Sequence, residues 1–137
     1  MTESVLAKKM KLKAGQSATI VNAPEGYLAE LQPLPANVKV SQKMESSSDW
    51  IQIFVKTKAE LDTLFPKVLK ILKPESILWV SFPKGTSKIQ TDLTRDKGWD
   101  VVAAAELKWI VLVSVNELWS AFAVRPYKPG ESKQSFR

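Results

Sequence analysis

The fold is decided by the stretch Glu75-Ser76-Ile77-Leu78-Trp79-Val80-Ser81-Phe82-Pro83-Lys84-Gly85. Residues 77–82 hold only one small hydroxyl side chain, so the run is apolar on both faces that a strand presents. A half-covered strand alternates apolar and polar residues, whereas a continuous apolar run is typical of a central parallel strand with helices on both sides. The proline and glycine that follow end the strand. The sequence therefore predicts a mostly parallel α/β sheet built around this strand.

A strand and a helix precede the central strand. Residues 50–55 are apolar and rich in β-propensity, and Thr57 and Glu60 then stand at the spacing of a capping box. Pro66 is expected to kink or split the helix that begins there, and Lys73 and Pro74 to end it. Strand, helix and central strand together form one right-handed crossover unit. The helix carries an apolar stripe at steps of three or four residues: Leu61, Leu64, Phe65, Val68, Leu69 and Leu72.

The N-terminal third of the chain predicts two shorter strands. They are expected near residues 17–22 and 38–40, with a turn and a short helix between them. The polar residues 41–49 then lead to the next strand. They are too few for a usual crossover helix, which makes this connection unusual for a parallel sheet.

The C-terminal part predicts a helix and a closing hairpin. The helix is expected over residues 95–106, and the apolar runs at 109–115 and 118–124 predict two antiparallel strands joined by a tight turn. One domain is expected over residues 1–126, followed by a flexible C-terminal tail at 127–137 whose composition is polar.

The composition excludes several kinds of chemistry. None of the 137 residues is cysteine or histidine. Disulfides, thiolate nucleophiles and cysteine metal sites are thereby excluded, and the commonest general base and metal ligand is missing. No catalytic residue and no metal site is predicted. No apolar run reaches the roughly 20 residues of a membrane span, and residues 1–10 lack the apolar core of a signal peptide, so a cytoplasmic location is expected.

The net charge of +6 has two interpretations. Twenty Lys and Arg against 14 Asp and Glu would favour a polyanion such as nucleic acid. However, the basic residues stand near the two ends or are spread over helices, without stacking or helix-turn-helix signatures. The charge therefore indicates solubility, and the expected partner is a small anionic molecule or a protein rather than nucleic acid. The sequence leaves the oligomeric state open.

Two polar loops contain the candidate ligand-binding residues, because open parallel sheets bind ligands beyond the carboxyl ends of their strands. The strands that precede these loops are expected to be neighbours. Lysine and hydroxyl side chains before a helix suit a phosphate or carboxylate, but a solvated loop has the same composition. Aspartates at a helix start suit a catalytic pair or merely a helix cap. The candidate residues are Asn22, Glu25, Gly26, Lys84, Gly85, Thr86, Asp92 and Arg95.

Four short motifs carry a resemblance to known proteins: Asn22-Ala23-Pro24-Glu25-Gly26-Tyr27, Phe82-Pro83-Lys84-Gly85, Thr91-Asp92-Leu93-Thr94-Arg95-Asp96, and Trp119-Ser120-Ala121 with Arg125-Pro126. They resemble a bacterial family of small proteins of unknown function with a shortened class I methyltransferase-like domain. The match covers residues 14–126. The resemblance implies a Rossmann-like three-layer sandwich with a mostly parallel sheet and a C-terminal antiparallel hairpin. It brings no established activity.

Two departures from the methyltransferase pattern bear on the cofactor. The pattern implies an acidic, glycine-rich loop for S-adenosylmethionine, whereas residues 22–27 contain one glycine and a proline. It also implies a ribose-binding carboxylate after the second strand, where this chain has Ser41 and Gln42. We therefore expect no cofactor and a vestigial, non-catalytic domain that serves as a small binding or interaction module. The alternative is an S-adenosylmethionine-dependent methyltransferase or a binder of a small anionic ligand in the crevice.

Overall fold

The computed structural model describes residues 5–42, 48–84, 98–105 and 107–127. Strands and helices alternate along most of the chain, as expected for an α/β fold. The elements are α1 (Val5–Lys9), β1 (Ser17–Val21), α2 (Tyr27–Leu31), β2 (Lys39–Ser41), β3 (Ser48–Phe54), α3 (Lys58–Leu69), β4 (Leu72–Pro83), α4 (Asp100–Ala104), β5 (Lys108–Ser114) and β6 (Trp119–Arg125).

The described strands form one six-stranded sheet in the order β2-β1-β3-β4-β6-β5. The first four of these run parallel, while β6 lies antiparallel to both β4 and β5. This confirms the predicted parallel sheet with a C-terminal antiparallel hairpin. Leu78, Trp79 and Val80 of β4 are completely buried, as predicted for the central strand.

Helices cover both faces of the sheet. The side chains of Leu78 and Val80 join one apolar core with α3 and α4, whereas Trp79 joins a second core with α1 and α2. The alternation arises because successive residues of a strand point to opposite faces. The predicted three-layer α/β sandwich is therefore confirmed.

The junction between α3 and β4 differs from the prediction. The helix continues through Pro66 and ends at Leu69, earlier than the predicted end. β4 begins at Leu72, because the chain there already pairs with Ser48 of β3. The Ser76 hydroxyl donates to the Ser48 carbonyl at 2.6 Å and supports this irregular start. The central strand is thus longer than its apolar run indicated.

Parts of the C-terminal predictions lie outside the described residues. Of the predicted helix at 95–106, residues 98–105 are described, and the helix α4 there begins only at Asp100, because Trp99 is its N-cap, and ends at Ala104. Of the predicted tail, only Tyr127 is described, and the domain boundary at residue 126 stays a prediction. Across the described ranges, none of the helices has the length and apolar character needed to cross a membrane.

Asp49 joins the amino ends of three parallel strands. Its Oδ2 accepts from the Ser17 backbone N–H at 3.0 Å and from the Ser17 hydroxyl at 3.3 Å, and Oδ1 forms an ion pair with Lys73. The hydrogen bond from Lys73, followed by that from the Ser17 backbone, holds the pKa of Asp49 below its ordinary value. Asp49 is therefore a structural residue at the amino ends of the parallel strands, on the opposite side of the sheet from their carboxyl ends.

Protonation of Asp49 is expected to destabilise the fold in acid. Its pKa is lower in the folded than in the unfolded chain, so its contribution is fully present above the unfolded value of 3.8 and is lost as the pH falls through the folded value. Urea melts from about pH 6 to about pH 2 should show a weaker acid dependence for Asp49→Asn than for wild type.

Asp62→Asn is the control, because Asp62 forms an exposed pair with Lys58 one helical turn away. This variant should follow the wild-type pH profile. If Asp49→Asn keeps the full acid dependence of stability, protonation of Asp49 is not the cause of the acid destabilisation.

Candidate functional site

A crevice opens at the edge of the sheet where the parallel strands end. It has a volume of about 490 Å³. β1 and β3 are neighbours and reach it with their carboxyl ends, while β6 runs antiparallel and reaches it with its first residue. Open α/β sheets bind ligands at this position. The lining residues are Asn22, Ala23, Pro24, Phe54, Lys56, Glu60 and Trp119.

The loop after β1 forms one wall of the crevice. Asn22 and Gly26 have left-handed φ angles of 62° and 84°. The Tyr27 N–H donates to the Pro24 carbonyl at 3.0 Å, which closes a turn with Gly26 in its third position, where a positive φ favours glycine. The one glycine of this loop therefore serves the turn, and Pro24 has no N–H to offer a ligand.

The start of α3 forms the opposite wall. The Glu60 N–H donates to the Thr57 hydroxyl at 3.1 Å, and Glu60 Oε1 accepts from the Lys56 N–H at 2.6 Å. These bonds match the predicted capping box, except that the carboxylate reaches the amide of Lys56 rather than that of Thr57. The cap fixes the Glu60 carboxylate, and the exposed Lys56 side chain stands beside it at the crevice.

Aromatic rings form the floor. Phe54 makes edge-to-face contacts with Trp119 and Tyr27 at centroid distances of 5.1 and 4.8 Å. The Tyr27 hydroxyl donates to Gln52 Oε1 at 2.6 Å, and Gln52 Nε2 donates to the Ser81 hydroxyl at 2.9 Å. Burial raises the pKa of Tyr27 well above its ordinary value, so this hydroxyl remains a protonated donor. The floor is thus held from below by buried hydrogen bonds.

The described residues bring few carboxylates to the crevice. The end of the exposed edge strand β2, where the resemblance implies a ribose-binding acid, holds Ser41 and Gln42. In the part of the chain that the structure describes, no three acidic side chains lie close enough to hold a metal ion. Glu60 is therefore the acidic group of the crevice lining.

The structure describes half of the predicted ligand-binding residues. In the first loop Asn22 lines the crevice, whereas Glu25 is exposed outside the lining and Gly26 forms the turn. In the second loop Lys84 is described. The predicted residues outside the described part are Gly85, Thr86, Asp92 and Arg95.

Lys84 lies away from the crevice lining. Its N–H donates to the Leu118 carbonyl at 2.8 Å, and its Nζ donates to the Ser114 hydroxyl at the end of β5. The expectation that the two loops follow neighbouring strands is wrong, because β3 lies between β1 and β4. The residues that follow β3, Lys56 and Glu60, take the place facing the first loop. Their signal in the sequence was the capping-box spacing directly after an apolar strand.

Solved methyltransferase structures cover most of the chain. A ribosomal protein L11 methylase from Lactobacillus delbrueckii subsp. bulgaricus matches with a TM-score of 0.54 and 11% identity, over 90% of this chain and 76% of that chain. A SAM-dependent methyltransferase from Aquifex aeolicus matches with a TM-score of 0.53 and 18% identity, over 87% of this chain and 86% of that chain. The complex of DhpI with SAH matches with a TM-score of 0.58 and 9% identity, over 88% of this chain and 82% of that chain.

These likenesses concern the fold, since the sequence identities are low. No protein-family model and no curated protein matches the sequence. The described strands form a mostly parallel sheet with an antiparallel C-terminal hairpin, and the first two methyltransferase matches extend over 90% and 87% of the chain. The chain therefore has a shortened class I methyltransferase-like fold, as the resemblance implied.

Proposed function

We propose that the chain is a non-catalytic binding domain whose crevice takes a small ligand with an aromatic body and an acidic group. The crevice itself is the observation that supports this proposal. Phe54 and Trp119 provide an apolar floor, and the ammonium of Lys56 stands beside it. Ligand sites are commonly clefts of about 300–1,000 Å³ with apolar walls and a few polar groups that orient the ligand. The volume of about 490 Å³ falls in this range.

The proposal leaves out methyl transfer because two segments that the methyltransferase pattern assigns to the cofactor, the loop after β1 and the end of β2, depart from that pattern. Gly26 is used for a turn and Pro24 has no N–H, so the first loop offers little backbone for a close approach. The end of β2 offers Ser41 and Gln42 in place of a carboxylate. Both features reduce the hydrogen bonds available to the cofactor.

A methyltransferase that uses S-adenosylmethionine is the second candidate. It is favoured by the matched structures of DhpI in complex with SAH and with SAM, and by the position of the crevice at the carboxyl end of β1. In such an enzyme Glu60 would be the acidic group nearest the ligand. The two candidates differ in the molecule that binds tightly, so direct titration separates them.

Calorimetric titrations with S-adenosylmethionine, S-adenosylhomocysteine, benzoate and indole-3-acetate test the proposal. We expect both adenosyl compounds to bind with a Kd weaker than about 1 mM, corresponding to less than about 4 kcal/mol of binding free energy. At least one aromatic acid should bind more tightly. A micromolar Kd for either adenosyl compound would assign the chain to the enzyme class instead.

Two alanine positions provide a matched pair of variants. Ala23→Trp places a large ring in the crevice lining, whereas Ala29→Trp adds the same ring at an exposed position of α2 outside the lining. Binding of the aromatic acid should disappear in the first variant and persist in the second. If no aromatic acid binds, or if both variants bind equally, the crevice is not the ligand site.

A further inference from the structure

Two side chains of opposite charge line the same wall of the crevice. Lys56 lies between β3 and α3, and Glu60 lies in the first turn of α3. Both residues are exposed, and neither forms an ion pair with the other or with another described residue. The crevice therefore offers a ligand both an ammonium group and a carboxylate.

The Glu60 carboxylate is positioned by the helix cap and keeps acceptor capacity. Its Oε1 accepts from the Lys56 backbone N–H at 2.6 Å, while the Glu60 N–H donates to the Thr57 hydroxyl at 3.1 Å. An ionised carboxylate has two oxygens with about four acceptor positions. The cap bond occupies one of these positions, so the second oxygen is available to a donor group of a ligand.

The Lys56 ammonium provides the complementary group. An ammonium carries three N–H donors and no acceptor, which suits the carboxylate of a ligand. Its own backbone is fixed by the bond to Glu60, whereas the side chain extends from the exposed surface into the crevice lining. Asn22 on the facing wall adds a carboxamide, which has both donors and acceptors.

The aromatic floor lies next to these charges. Phe54 ends β3 two residues before Lys56, and Trp119 begins β6. The two rings meet edge to face at 5.1 Å between their centroids, and both line the crevice. A ring of a ligand can join such an arrangement through further aromatic contacts. One crevice thus combines an aromatic surface with a cation and an anion.

The two charges together restrict the ligand. An aromatic ligand with only a carboxylate pairs with Lys56 but is repelled by Glu60, and one with only an amine meets the reverse conflict. A ligand that carries both groups forms charge-assisted hydrogen bonds with both side chains. Because Lys56 and Glu60 belong to one wall, the two charged groups of the ligand must lie close together, as they do on the α-carbon of an amino acid.

We infer that the crevice binds an aromatic α-amino acid. Its ring lies on the floor of Phe54 and Trp119, its carboxylate pairs with Lys56 and its ammonium pairs with Glu60. This inference rests on the proposed function and narrows it, because it adds an amino group to the aromatic acid proposed above. The role of Glu60 is the new element.

Calorimetric titrations with L-tryptophan, indole-3-propionate and tryptamine test the inference. Indole-3-propionate is tryptophan without its amino group, and tryptamine is tryptophan without its carboxylate. L-Tryptophan should bind at least about fivefold more tightly than either analogue, as expected for one additional, partly exposed ion pair. L-Alanine keeps both charged groups but lacks the ring, so it should show no measurable binding.

Glu60→Gln tests the recognition of the amino group. Glutamine retains an oxygen that can accept from the Lys56 N–H, but it carries no charge. In this variant L-tryptophan should bind no more tightly than indole-3-propionate. Asp62→Asn is the matched control, because it removes a carboxylate of α3 that pairs with Lys58 and lies outside the lining. It should change the affinity for L-tryptophan by less than about twofold.

Lys56→Gln tests the recognition of the carboxylate. It should weaken the binding of L-tryptophan and of indole-3-propionate at least about fivefold each, and it should not weaken the binding of tryptamine. Lys67→Gln is its control, because Lys67 is an exposed lysine of α3 outside the lining. Urea melts establish that each variant is folded.

The outcomes separate this inference from the proposed function. If indole-3-propionate binds, Ala23→Trp abolishes that binding and L-tryptophan binds no more tightly, the amino-acid inference fails while the proposed function stands. If none of the three indole compounds binds, or if Ala23→Trp leaves their binding unchanged, both fail. An advantage of L-tryptophan over indole-3-propionate that is equally large in wild type and Glu60→Gln would also overturn the inference, because Glu60 would then play no part in recognition.

Discussion

Replacement of Trp50 by alanine is expected to lower the free energy of unfolding by about 4 kcal/mol. Trp50 is completely buried in β3, and its indole N–H donates to the Met10 carbonyl at 2.8 Å. The substitution removes a large apolar surface, leaves a cavity and strands a backbone acceptor. Urea denaturation followed by circular dichroism measures the loss directly.

Trp50→Phe separates the two contributions. It retains an aromatic ring in the core and removes the N–H, so the expected loss is smaller, about 1–3 kcal/mol. Because the hydrogen bond ties the end of α1 to β3, hydrogen exchange around Met10 should accelerate in both variants. A loss below about 2 kcal/mol in Trp50→Ala would show that the neighbouring side chains collapse into the space, contrary to this account.

Much of the fold follows from patterns that are local in the sequence. The apolar run at 77–82 identified the central strand because both of its faces are covered. The spacing of Thr57 and Glu60 identified the start of α3, where the Thr57 hydroxyl caps the Glu60 N–H and the Glu60 carboxylate accepts from the neighbouring Lys56 N–H. The two apolar runs near the C-terminus identified the β5–β6 hairpin. In each case the interactions that decide the structure lie within one or two elements.

The site was harder to predict because it depends on strand order. Asn22 follows β1 and Lys84 follows β4, and the sequence cannot say that β3 separates those two strands. Because β3 lies between β1 and β4, Lys56, which follows β3, lines the crevice together with the loop after β1. Lys84 instead contacts Ser114. The contact between Lys9 and Ser114 spans 105 residues and has no local signal at all. Long-range juxtaposition of this kind requires the three-dimensional fold.

Gln52 presents the same difficulty in the core. Within the apolar strand β3 it interrupts the hydrophobic pattern, and its partners Tyr27 and Ser81 lie 25 and 29 residues away. All three side chains are completely or almost completely buried. Buried polar groups are tolerated when they are hydrogen-bonded, so the partners explain a residue that the pattern alone did not.

Gln52→Leu is expected to lower the free energy of unfolding by about 3 kcal/mol. Leucine roughly preserves the buried volume, but it leaves the Tyr27 hydroxyl with only the weak Met10 sulfur acceptor at 3.8 Å and the Ser81 hydroxyl without its 2.9 Å donor. Each unsatisfied buried group costs about 1–3 kcal/mol. The same change should weaken ligand binding in the crevice, because Tyr27 supports Phe54 on the crevice floor. Urea melts and the aromatic-acid titration measure the two effects.

The triple variant Tyr27→Phe, Gln52→Leu, Ser81→Ala identifies the cause of this loss. It removes all three polar side chains together and leaves none of them unsatisfied, so it should recover more than half of the stability that Gln52→Leu loses. Recovery would show that the stranded donors and acceptors, rather than the shape of leucine, destabilise the single variant. If the triple variant is less stable than Gln52→Leu, packing decides the outcome, and the hydrogen bonds are not what holds the crevice floor in place.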